Sequence, residues 1–150
     1  MIERKLYNVI RAQVDAAASG TPLAGLFVHD SLFRSIDPAQ PDGFRVGRAE
    51  GELAPNSGND GIREAYCGVP VFIYVLIADV QDDGTIREAA FDRATAIAYA
   101  FVLTLWTGAL DAQSLILQDG AMPFARVDHT RGSDHYAVVT FTLTLSEVVC

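Results

Sequence analysis

Cysteine, histidine and basic residues are scarce in this sequence, which limits the chemistry that it can carry. It has 2 cysteines, 3 histidines and 11 lysines and arginines in 150 residues. Cys67 and Cys150 form no CxxC pair, so the sequence predicts neither a zinc site nor a redox motif but two reduced thiols. The phosphate-binding glycine motifs, GxSxG and HExxH are absent as well. We therefore expect no enzymatic activity, no cofactor and no metal.

The shortage of basic charge argues against sequence-specific nucleic-acid binding. The 11 basic side chains stand against 19 acidic ones, which gives a formal net charge of -8. Such a chain repels phosphate rather than collecting it. Net acidity is compatible, however, with a lumen through which DNA slides without adhering. If DNA is a partner, we expect passage without sequence-specific contacts.

Neither a signal peptide nor a membrane span is indicated. The first residues, MIERK, are charged and lead directly into an amphipathic pattern, so we expect the chain in the cytoplasm. The longest uncharged run covers seventeen residues, Ala94 to Leu110. A membrane-spanning helix needs about 20 apolar residues, and this run has no basic cluster or aromatic belt at its ends. The sequence therefore predicts a core helix here and no membrane partner.

The uncharged run belongs to a predicted helix over 86–107. Thr85 and Glu88 have the spacing of a capping box, and Gly108 is a suitable helix end. With about 100° of rotation per residue, one face collects most of the apolar side chains: Phe91, Ala94, Ala98, Phe101, Val102 and Leu105. Tyr99, Leu103 and Trp106 lie well to one side of this face. The apolar sector is wider than one sheet contact requires, so the helix is either deeply buried or packed against a second subunit, and in a domain of this size we favour the second.

Hydrophobic periodicity predicts the remaining elements. A helix is expected over 2–18, and strands over 23–28, 65–80, 114–117, 124–129 and 135–145. Pro70 cannot donate to a sheet ladder, so we expect it at an edge or bulge near the start of its strand. This order predicts an α+β fold in a single domain, with a mostly antiparallel sheet, two helices packed on one face, and a long loop between the first and second strands.

The segment from Asp30 to Ile62 is rich in proline and glycine and has no sustained apolar period. We expect a long loop or arm, because structureless segments of this length in compact domains are usually functional or disordered. Two interpretations remain open, a solvated linker and an arm that docks on a neighbouring chain. The candidate contact residues in the segment are Phe33, Arg34, Phe44, Arg45 and Arg48.

Two histidines flank a predicted hairpin turn over 130–134. His129 follows Asp128, and His135 follows Asp134, so cross-strand pairing would bring two imidazoles and two carboxylates together. Aspartate is also common in turns for backbone reasons, and no third protein ligand is evident. A turn is therefore the preferred interpretation, and a metal half-site is the alternative.

The element pattern resembles that of the tail terminator proteins of long-tailed bacteriophages. The resemblance covers the N-terminal helix, GVPVFIYVLIADV (68–80), FDRATAIAYAFVLTLW (91–106), SLIL (114–117) and FARVDHTRGSDHYAVVTFTLTL (124–145). It does not clearly include 30–62. Terminators are small α+β proteins that form a ring, usually a hexamer, which caps the tail tube and joins it to the head. The family has no catalytic residues.

The resemblance implies a homo-oligomeric virion protein that is made in the host cytoplasm. Its implied partners are the tail tube protein, a head completion or stopper protein, and DNA that passes through the lumen. The candidate interface residues are those named in the 30–62 segment together with Tyr99, Leu103 and Trp106. Two alternatives stay open: a neighbouring head completion or neck adaptor protein, and a small-molecule binding domain or small enzyme with a pocket between sheet and helix.

Overall fold

The computed structural model of the chain describes residues 2–29, 42–55, 63–78, 84–117, 122, 124–131 and 134–149. Their helices are α1 (Ile2–Ala16), α2 (Thr85–Leu105) and one 3-10 turn (Asp111–Gln113). Their strands are β1 (Phe27–Val28), β2 (Gly43–Val46), β3 (Glu50–Pro55), β4 (Arg63–Ile77), β5 (Leu115–Leu117), β6 (Phe124–Arg131) and β7 (Asp134–Val149). The predicted α+β class is confirmed.

Two long antiparallel strands, β4 and β7, form the centre of the sheet. They pair over their whole common length, from Arg63 opposite Val149 to Ile77 opposite His135. Side chains alternate between faces along each strand. The odd-numbered positions from 69 to 77 in β4 and from 137 to 145 in β7 are buried and belong to the main core. The predicted alternation in β7 is confirmed.

Both helices pack on this odd-numbered face of the sheet. α1 contributes Ile2, Leu6, Val9, Ile10 and Val14 to the core. The spacing of these residues places them on one side of a helix, and the remaining side is largely exposed. The opposite face of the sheet has a smaller cluster of Tyr74, Tyr136 and Val138, with Phe72 packed against it. Two helices on one face were predicted, and this arrangement is confirmed.

The outer strands pair along the outer edges of β4 and β7, so that each central strand has more than one outer neighbour. The order is β1-β2-β4-β7-β5, with β3 also beside β4 and β6 also beside β7. β1 and β2 are parallel, and the other pairs are antiparallel. The expectation of a loop throughout 30–62 was wrong, because β2 and β3 lie within this segment. They form by pairing with β4, a long-range contact that the local glycine-rich pattern does not reveal.

Pro70 lies in the middle of β4 rather than near its start, at a position between the residues that pair with β2 and those that pair with β3. It stands opposite Thr142 of β7, and its carbonyl accepts the backbone N–H of Gly47 at 2.8 Å. The N–H and C=O of a residue in an antiparallel strand point to the same side. The missing N–H of Pro70 therefore faces the connection between β2 and β3, where no ladder donor is required. This break in the outer edge explains why the proline is tolerated.

β1 is much shorter than predicted, because residues 22–25 form turns rather than a strand. Its two residues pair with the start of β2, Phe27 with Gly43 and Val28 with Phe44. The backbones approach closely, and a Cβ atom on Gly43 would lie only 1.8 Å from the carbonyl oxygen of Phe27. A residue without a side chain is therefore required at position 43.

Asp42 connects the sheet edge to α2. One carboxylate oxygen accepts the backbone N–H of Leu76 at 3.0 Å. The other lies 3.2 Å from Nε of Arg93 on α2. Because the Asp42 side chain is only 22% exposed, these interactions are screened less than those of a fully exposed pair.

α2 starts and ends close to the predicted positions. Gly84 is the N-cap residue, with φ 104°, and Thr85 is already helical. The expected capping box at Thr85 was therefore wrong, because Thr85 lies one position inside the helix. The helix ends at Leu105, and Gly108 adopts φ 92° in the following turn. Within the described residues, no helix combines the length and the hydropathy of a membrane-spanning segment.

Candidate assembly surface

The outer side of α2 carries three large apolar side chains that the sheet does not cover. Tyr99 and Leu103 are each 58% exposed, and Trp106 is 68% exposed. They occur at i, i+4 and i+7, so they form one row on the helix, which we call the α2 ridge. The core-facing side of the same helix is buried at Phe91, Ala94, Ile97, Ala98, Phe101 and Leu105. The sequence placed the ridge correctly, and its role as an interface stays a prediction.

An apolar groove with a volume of about 620 Å³ separates the ridge from β6 and β7. The α2 ridge forms one wall, and Met122 and Phe124 form the other. Val139 and Phe141 of β7 line the groove between these walls. The rings of Tyr99 and Phe124 meet edge-to-face, with centroids 6.4 Å apart. We call this feature the α2–β6 groove.

Two ion pairs connect β6 to the first half of α2. Arg87 of α2 pairs with Asp128 of β6, and Glu88 of α2 lies 3.9 Å from Arg126 of β6. Both guanidinium groups also stand over the ring of Phe91, at 5.8 and 5.9 Å from its centroid. These exposed pairs add modestly to the packing of β6 against α2 at this end, and the groove is lined by α2 residues from Thr95 onwards.

The groove is lined by uncharged, mostly apolar side chains and therefore suits contact with an apolar protein surface. The described residues that line it include no charged side chain. An aromatic side chain covers roughly 150–250 Å² when it is buried, so the exposed halves of Tyr99, Trp106 and Phe124, together with Leu103, present on the order of 400 Å². Contiguous apolar patches of this size on a monomer are often functional. The groove is therefore the strongest candidate for a contact surface among the described residues.

The three candidate residues of the 30–62 segment that the structure describes do not line this surface. Phe44 is a core residue with 0% exposure, and its ring packs against Phe101 at 5.3 Å. Arg45 is half-buried, with its guanidinium 4.4 Å from the Phe72 ring centroid, and burial lowers its pKa while Tyr74 opposes this shift. Arg48 is exposed. Phe33 and Arg34 lie outside the described residues.

The two hairpin histidines do not lie together, as the alternative of a metal half-site would require. His129 faces Tyr136, and His135 faces Thr130. Because His135 and Tyr136 are adjacent in β7, their side chains point to opposite faces, and so do those of the two histidines. In the part of the chain that the structure describes, no group of three or more His, Cys, Asp or Glu side chains is arranged to hold a metal ion.

Sequence reasoning missed the second wall of the groove. Phe124, which is 48% exposed, begins β6 opposite Phe141 and therefore lies on the helix face. Met122 is partly buried nearby. The apolar residues around them were predicted as a strand, but no local signal indicated that this strand would stand beside the ridge of α2. A search for exposed aromatics on the face that carries both helices would have found Phe124.

Comparisons with known proteins give a limited result. No protein-family model and no curated protein matches the chain. Among solved structures, it is similar to a chain from a structure described as the virion of a native gene transfer agent particle, at 17% sequence identity and a TM-score of 0.48. The match covers 94% of each chain. Because this TM-score lies below 0.5, the similarity carries no argument about the function of this chain.

Proposed function

We propose that the chain is a structural virion protein, a tail terminator that forms a ring on the tail tube and joins the tube to the head. The observation that carries the proposal is the α2–β6 groove, which presents an uncharged apolar surface on an otherwise acidic chain. Apolar patches of this size are often functional. In a subunit of an assembly, such a patch becomes buried on contact and stabilises the assembly.

The element pattern supports a terminator among assembly proteins. The resemblance begins with the N-terminal helix and ends with the hairpin over 124–145. These segments correspond to α1 and to the β6–β7 pair of the fold. We propose six subunits, the usual number in the family, with cyclic contacts between successive copies. The net charge of -8 suits a ring through which DNA passes without adhering.

Electron microscopy of tails tests this proposal. Purified chain with a gold label is mixed with tail tubes that were assembled without it, and the mixture is imaged by negative stain. We expect label at one end of each tube, where a terminator binds. Label at the portal vertex of heads, and not on tails, would favour the neck adaptor alternative. Label absent from both structures, or spread along the tube, would contradict the proposal.

A small-molecule binding function is the second candidate, because the volume of the groove lies within the usual range of ligand pockets, roughly 300–1,000 Å³. Such pockets also contain a few convergent polar groups that orient the ligand. Among the described residues that line this groove, the polar side-chain groups are the hydroxyls of Thr95 and Tyr99 and the indole N–H of Trp106. A saturable rise in melting temperature with an apolar probe would favour this candidate, and no rise is expected.

A further inference from the structure

β6 has one open edge. It pairs with β7 along one side, from Phe124 to Arg131, and among the described strands none pairs with its other side. Proteins commonly protect such an edge with a proline, a lysine or a bulge, because it offers N–H and C=O groups to a further strand. The sequence of β6, FARVDHTR, contains neither proline nor lysine, and its register with β7 is continuous. The edge can therefore accept another strand.

The charges of β6 make the strand complementary to a second copy of itself. Arg126 and Asp128 flank Val127 and point to the face that carries the helices, where they meet α2. If two antiparallel copies of β6 meet across a two-fold axis at Val127, each arginine stands opposite the aspartate of the other copy. An axis at Arg126 or at Asp128 would place a like charge opposite itself. Opposite charges across a strand pair stabilise it and like charges destabilise it, so the pattern selects Val127 as the axis.

Val127 is suited to this central position. It is 45% exposed and stands opposite Val138, on the face away from the helices. Two copies of its side chain would cover one another across the axis, as neighbouring β-branched side chains do in a sheet. The axis is perpendicular to the sheet, because the two strands are antiparallel, so both copies keep their helices on the same face and the two sheets become one.

The acidity of the whole chain does not extend to this edge. The chain carries a formal net charge of -8, whereas β6 has two arginines and one aspartate, a net charge of +1. Within each chain, Asp128 pairs with Arg87 and Arg126 lies beside Glu88. The two-fold contact would join these pairs into a row of alternating charges that runs from one α2 helix to the other. More distant charges are screened beyond about 8 Å at physiological salt.

We propose that two free copies of the chain pair through their β6 edges, antiparallel and with Val127 on the two-fold axis. Backbone hydrogen bonds hold the two strands together, as in other cases of strand addition, and the charges of Arg126 and Asp128 fix the register. The inference goes beyond the proposed function and does not rest on it, because it concerns free copies in dilute solution rather than the ring.

Single cysteines test the pairing and its register. In a Cys67→Ser, Cys150→Ser background, Val127→Cys places a thiol on the proposed axis, where the two Cα atoms would lie about 4.5–5.5 Å apart, within the range of a disulfide. Ala125→Cys is the matched control, because it is exposed on the same face of β6 but would lie about 14 Å from its own copy. Under mild oxidation of the dilute protein, we expect a disulfide-linked dimer from Val127→Cys and none from Ala125→Cys.

Charge reversal tests what fixes the register. In the Val127→Cys chain, Arg126→Asp places two carboxylates opposite one another and should lower the rate of dimer formation by about tenfold. Adding Asp128→Arg to the same chain restores opposite charges across the axis and should restore most of the rate. Circular dichroism verifies that each variant is folded, because both positions also meet α2. A folded double variant that pairs no faster than Arg126→Asp would overturn the proposed register.

The outcomes separate this inference from the proposed function. The absence of a Val127→Cys dimer overturns the pairing, as does an Ala125→Cys dimer of equal yield. In either case, label at the ends of tail tubes would still support the terminator proposal. A Val127→Cys dimer, together with a wild-type chain that labels neither tails nor heads, would support the pairing and remove the terminator proposal.

Discussion

Phe101 fixes α2 to both halves of the sheet, which makes its truncation a test of the fold. The side chain is fully buried and packs against Phe44 of β2 and Phe141 of β7, with ring centroids 5.3 and 6.3 Å away. Replacement of a buried phenylalanine by alanine typically costs about 3–5 kcal/mol. The whole domain is expected to have a free energy of unfolding of about 5–15 kcal/mol. Phe101→Ala should therefore remove a large share of the stability.

Urea unfolding followed by circular dichroism measures this loss. With a slope of about 2 kcal/mol per molar urea, a loss of about 4 kcal/mol lowers the midpoint by about 2 M. Leu103→Ala is the control on the same helix. Its side chain is 58% exposed, so at low protein concentration the midpoint should change by less than about 0.3 M, the equivalent of roughly 0.5 kcal/mol. A loss below about 1 kcal/mol for Phe101→Ala would refute the packing described for α2.

Three further predictions concern the elements that position the groove. Gly43→Ala should lower the melting temperature by several degrees, because its Cβ atom would lie 1.8 Å from the carbonyl oxygen of Phe27; an unchanged melting temperature would contradict the close approach of β1. Asp42→Ala should cost about 0.5–1.5 kcal/mol in urea unfolding, because water replaces the carboxylate as the acceptor of the exposed N–H of Leu76, and an unchanged midpoint would count against that hydrogen bond. Asp128→Asn should cost about 0.2–1 kcal/mol at low salt and much less near 1 M salt, where the Debye length is about 3 Å; a loss that is independent of salt would argue against an ion pair with Arg87.

The elements with a clear local period were predictable from the sequence. In α2, apolar residues repeat every three to four positions, and the structure buries this stripe and exposes Tyr99, Leu103 and Trp106 beside it. In β7, apolar residues alternate with threonines, and the structure buries the apolar set. Both patterns depend on the geometry of one element alone. They correctly predicted α2, β7 and the ridge.

Features that depend on pairing between distant segments were not predictable. β2 and β3 have weak local patterns and exist because β4 offers them an edge. The faces on which His129 and His135 lie follow from a register that a shift of one residue would reverse. Phe124 becomes a wall of the groove because β6 pairs with β7 beneath α2. In each case the decisive contact joins residues that the sequence pattern does not connect.

The mass and shape of the purified wild-type protein show whether this chain is a subunit of an assembly. Light scattering gives the number of 16.2 kDa subunits, and negative-stain images of the same fraction show their arrangement. We expect a closed ring of six subunits with a hole wide enough for double-stranded DNA. A compact monomer at every concentration, with no binding to the ends of tail tubes, would contradict it.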